Sequence, residues 1–119
     1  MKTARVLMIA ALAGFAVPAI AQIKPPANSY SDRLEKLSEL QRNAAMRRAV
    51  LDSGQACKTV DWAAKQQQYK NLVMWVTHCK PEGSKAVYIG PDGSAQVRPC
   101  SDAAQLKLPA CQVPPVKKK

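Results

Sequence analysis

The sequence predicts an α+β fold: one N-terminal amphipathic helix packed on a small antiparallel meander of three to four strands, stapled by disulfides. Three observations carry that expectation. Leu34, Leu37, Leu40, Ala44 and Leu51 recur at spacings of three, four and seven, the period of a helix. After Gly54, short apolar runs alternate with turns rich in Pro and Gly, which is the grammar of strands. Four cysteines, Cys57, Cys79, Cys100 and Cys111, are spaced by 22, 21 and 11 residues, and none of them forms a short pair.

At 119 residues, 47% apolar and 22% charged, the chain has room for one small domain and is neither collagen-like nor strongly disordered. A core of that size is modest, so covalent staples matter.

Residues 1–21 read as a secretory signal. Lys2 and Arg5 precede an uncharged apolar run from Val6 to Val17, and Ala19-Ile20-Ala21 supplies the small-x-small cleavage pattern, so the exported chain is expected to start at Gln22. The run falls short of the roughly 20 residues a spanning helix needs. A flexible leader over 22–31 contains Pro25-Pro26; a single domain over 32–113 follows, and a disordered basic tail is expected over 114–119.

The helix is expected over 32–53. Asp32-x-x-Glu35 has the form of a capping box, the acids Asp32, Glu35 and Glu39 precede Arg42, Arg47 and Arg48 in the order that complements the helix dipole, and Gly54 is a natural stop. Cys57 to Ala63 alternates weakly as a first strand, and Lys65 to Lys70, with its glutamine triplet, reads as a polar turn. Asn71 to Cys79 is the strongest strand. It is apolar on both faces from Leu72 to Val76, which suits the middle of a sheet. Turns at Pro81–Ser84 and Pro91-Asp92-Gly93 frame a short strand over Ala86–Ile89, and Ala95 to Arg98 forms the last strand, stopped by Pro99. The helix leucines are expected on one face of the sheet, with Trp75 or Trp62 covering part of the other.

In an exported chain an even cysteine count reads as two disulfides, whereas zinc favours short C-x-x-C pairs. A hairpin with its midpoint at Gln68 sets Cys57 across from Cys79. The strand over 86–89 intervenes between Cys79 and Cys100, doubling the strand spacing to about 9.6 Å, which leaves Cys111 for Cys100.

For chemistry the sequence offers little. His78 is the single histidine, and no serine, cysteine or carboxylate stands in a recognisable local partnership with it. G-x-S-x-G, P-loop, GxGxxG and C-x-x-C patterns are absent, so neither an enzyme nor a cofactor or metal is expected. The charge is more telling: 18 Lys+Arg against 8 Asp+Glu give +10, and +8 once Lys2 and Arg5 leave with the signal. Arg42, Arg47, Arg48, Lys117, Lys118 and Lys119 are the candidate anion contacts. The expectation is a small, monomeric, periplasmic or secreted, non-catalytic binding or accessory module for a protein or an anionic envelope polymer. It has no transmembrane span and no physiological nucleic-acid target. The alternatives are an enzyme inhibitor presenting the Pro81-Glu82-Gly83 turn, or a structural protein with no ligand.

Overall fold

The computed structural model describes residues 27–112, with Gly14 alone before them; the rest of the expected signal, half of the leader (22–26) and the tail Lys117-Lys118-Lys119 lie outside the described residues. Helices α1 (Ser29–Lys36) and α2 (Glu39–Asp52) pack on one face of an antiparallel sheet. Its strands are β1 (Thr59–Tyr69), β2 (Leu72–Lys80), β3 (Gly83–Ile89) and β4 (Ala95–Pro99), in spatial order β1-β2-β3-β4. This is the expected helix-on-meander α+β fold with two disulfides, but the single helix is split in two.

The split has a local cause. Ser38 takes an extended conformation and its side chain accepts from the Gln41 N–H at 3.2 Å, capping a new helix where the apolar period alone would continue the old one. The carbonyls left open at the end of α1 are taken up by Arg42, which donates to Leu34, Glu35 and Leu37 oxygens at 2.8–2.9 Å. Breaking the phase also changes which residues meet the sheet. Met46 and Val50 are buried, with Leu34 and Ala49 packed beside them, whereas Leu40 is 82% exposed.

The start of α1 differs as well. Its cap is Asn28 rather than Asp32: Asn28 Oδ1 accepts from the Ser31 N–H at 3.0 Å, while its amide donates to the Ile89 carbonyl at 2.9 Å. Asn28 and Ser31, expected in a flexible leader, are therefore buried and tied to the sheet.

Strand β1 is longer than expected. It runs through the glutamine triplet to Tyr69, so the turn is Lys70-Asn71, with Lys70 at φ 53°. The β1–β2 register slips between Val60 and Trp62 and again between Lys65 and Gln67, leaving Asp61 and Gln66 as the extra residues of two bulges. On β2 the odd residues Val73, Trp75 and Cys79 face the helices with Val87, Ile89 and Val97. The even residues Met74 and Val76 face the other way with Ala86 and Tyr88. Trp62 lies on this second face and Trp75 lies under the helices. After a 3-10 turn at Cys100–Asp102, the chain folds back so that Leu108 and Cys111 pack on the second face.

Both expected disulfides form, with Cα separations of 5.2 Å for Cys57–Cys79 and 5.7 Å for Cys100–Cys111. The geometric reason for the first differs from the hairpin argument. The bulges make Val60 the cross-strand partner of Cys79, and Cys57 lies ahead of β1. The bridge thus fastens the α2–β1 connection into the core, where both cysteines are at most 2% exposed.

Candidate functional site

The second face of the sheet carries a cleft of about 240 Å³ between the strands and the segment over 103–112. The antiparallel register builds it. Tyr88 on β3 and Gln96 on β4 are direct partners, Arg98 is two residues further along the same face, and Tyr69 and Leu72 close the end at the β1–β2 turn. Leu106 and Leu108 from the C-terminal segment form the remaining wall.

The electrostatics of the cleft are one-sided. Among the described residues no acid lines it and Arg98 has no ion-pair partner. Lys70 lies 5.4 Å from the centre of the Tyr69 ring, and Lys107 sits between two lining leucines. Tyr88 is 3% exposed, yet among the described residues its hydroxyl has no hydrogen-bond partner. Burial, aided by Tyr69 beside it, pushes its phenol above the ordinary value, so it stays protonated as a neutral donor. A buried donor without an acceptor and a guanidinium without an ion pair, lining one cleft, suit an anionic oxygen.

The helix arginines that the sequence offered as anion contacts have partners within the fold. Arg42 closes the end of α1, and Arg47 donates to the Cys57 and Lys58 carbonyls at 3.0 Å. Arg48 pairs with Asp52 at 3.1 Å, with both side chains well exposed. Each has a different partner. The turn considered for an inhibitor is anchored too: the Glu82 carboxylate accepts from the Lys58 N–H at 3.2 Å.

His78 does have a carboxylate partner, which the sequence reading missed. Its Nδ1 meets Asp61, whose other oxygen lies 3.3 Å from Lys80 Nζ, and its ring stacks on Trp62 with centroids 5.6 Å apart. The Asp61 bulge causes this, because the extra residue re-aims a side chain that strict alternation would send to the other face. The only sequence trace is an Asp seventeen residues before the His. Ser84 stands opposite His78 on β3, but among the described residues no hydrogen bond joins them.

No helix among the described residues is long and apolar enough to cross a membrane. Two disulfides are compatible with an oxidising, extracytoplasmic compartment. The chain matches no protein-family model, and neither a curated protein nor a solved structure is significantly similar to it.

Proposed function

We propose that the protein is a small exported, non-catalytic binding module that docks an anionic component of the cell envelope through the cleft of Tyr88, Gln96 and Arg98. The observation that carries this reading is a cleft where, among the described residues, no acid lines the wall, the buried Tyr88 hydroxyl has no hydrogen-bond partner and Arg98 has no ion-pair partner. An unsatisfied buried hydroxyl costs about 1–3 kcal/mol, which a ligand oxygen offsets on binding. Lys70 and Lys107 at the margin add attraction of longer reach, in keeping with the overall excess of 18 cations over 8 acids.

Sedimentation with vesicles of phosphatidylglycerol or of phosphatidylcholine alone tests the reading, at low salt and at about 0.15 M salt. The protein should follow the anionic vesicles at low salt and largely leave them at the higher salt. Each cation near an anionic surface contributes about 1 kcal/mol, so Arg98→Ala and Lys107→Ala should each weaken binding about fivefold. Equal, negligible sedimentation with both vesicle types at low salt would overturn the proposal and leave the charge to solubility.

A further inference from the structure

On the helix-covered face, opposite the cleft, α1 and α2 leave an open groove of about 220 Å³ above β3 and β4. Its floor is Met46 and Ala49 of α2 with Val87 and Ile89 of β3. Small residues keep it open: Ala45 on α2, Ala95 on β4, and Gly93, against which the Tyr30 ring lies so closely that an added Cβ would fall 2.7 Å from it. Among the described residues Arg33 is the single charged residue lining the groove. It is exposed, has no ion-pair partner among the described residues, and holds its guanidinium 5.2 Å from the centre of the Tyr30 ring.

We infer that this groove binds a single-chain anionic amphiphile of the fatty-acid type, its methylene chain along Leu34, Leu37 and Ala49 and its carboxylate on Arg33. Three arguments fix that class. The apolar lining rejects a polar body, which would give up hydration without finding partners. The volume lies below the roughly 300 Å³ at which drug-sized sites begin, so a narrow chain fits where a fused ring system does not. The lone charged lining residue sets the sign of the head group, and a guanidinium braced on an aromatic ring receives a carboxylate in a planar, two-pronged pair.

Calorimetric titration of the oxidised, full-length protein with octanoate, decanoate, decanol and decyltrimethylammonium tests the inference. Binding should tighten on the order of fourfold per methylene, so decanoate should bind more than tenfold tighter than octanoate. Decanol and the cationic chain should bind at least fivefold more weakly than decanoate. Arg33→Gln should bring decanoate down to the level of decanol, whereas Lys36→Gln, which removes the same charge one turn along without lining the groove, should leave it unchanged. Ala49→Phe should fill the groove and abolish binding of every chain. Ala95→Leu, on an exposed edge residue, serves as a second obstruction should the bulkier change unfold the protein. A missing chain-length dependence, decanol or the cation binding as well as decanoate, or equal losses in Arg33→Gln and Lys36→Gln would each overturn the assignment. None of these outcomes bears on the cleft across the sheet, whose vesicle test stands apart.

Discussion

Trp75, in the middle of β2, donates its indole N–H to the Ser31 hydroxyl in the first turn of α1 at 2.9 Å, with both side chains shielded from solvent. An eight-residue helix is too short to persist on its own. What holds α1 in place is tertiary: this bond, the Asn28 bond to Ile89, and the Arg42 bonds at its far end. The two walls of the groove on that face, Tyr30 and Arg33, are carried by this one pinned helix.

Ser31→Ala should therefore leave a buried indole N–H without a partner and cost about 1–3 kcal/mol. Urea unfolding followed by tryptophan fluorescence measures it. Combining Ser31→Ala with Trp75→Phe should cost clearly less than the sum of the two single changes, because the double variant no longer buries an unpaired donor.

The two disulfides should fail differently. Loops of 22 and 11 residues each give about 3 kcal/mol in the chain-entropy estimate. Replacing Cys57 and Cys79 together by Ala adds a cavity to the core, so the whole domain should lose stability beyond that figure. Replacing Cys100 and Cys111 should free the segment over 103–111 while β2 stays protected. Hydrogen exchange by peptide should show that segment exchanging fast, and vesicle binding should fall as Leu106 and Leu108 leave the cleft wall.

The Asp61 group predicts a pH signature. Burial works to raise the Asp61 carboxyl, but hydrogen bonds from His78 and Lys80 and the His78 charge outweigh it and hold it below its ordinary 3.8. A depressed folded-state value means that the ionised form stabilises the fold above pH 3.8 and loses that contribution as pH falls through the lower value. Asp61→Asn should cost about 0.5 kcal/mol near neutrality, since the side chains are a third exposed and screened. The gap between wild type and variant should close below pH 3.8. Urea midpoints measured from pH 2.5 to 7 show this, and a gap independent of pH would disprove it.

Much of this fold was legible because its signals are local. The Pro91-Asp92-Gly93 turn is written in its residue types, with Gly93 at φ 86° and Asp92 Oδ1 accepting from the Ser94 N–H, and the strands on either side follow from it. The two-faced apolar run of β2 likewise announced a central strand. The helix break was hidden because a cap at Ser38 is one weak signal inside a continuing apolar period. Strand structure at Gln66–Gln68 was hidden because pairing with β2 overrides propensity; Gln66, on the outer edge, then ties down the C-terminal segment through Ala110 and Gln112. Bulges leave no composition signal, so the meeting of Asp61 and His78 could not be read. Of the cleft, only the Tyr88–Gln96 pairing was within reach, by counting outward from the Gly93 turn. The unpaired state of the Tyr88 hydroxyl belongs to the packing of three strands and a returning segment.

That hydroxyl gives the sharpest separation of binding from stability. Tyr88→Phe removes a buried donor that has no partner among the described residues and keeps the ring against Tyr69. The substitution should therefore be neutral or stabilising by up to about 1 kcal/mol, the reverse of what truncating a bonded group does. In the sedimentation experiment the same variant should bind anionic vesicles more weakly, by about fivefold if the hydroxyl contributes one hydrogen bond of about 1 kcal/mol. A group required only for packing moves both measurements in the same direction. Unchanged vesicle binding in a Tyr88→Phe protein that is at least as stable as wild type would remove this hydroxyl from the site, and with it the main support for the cleft as a docking surface.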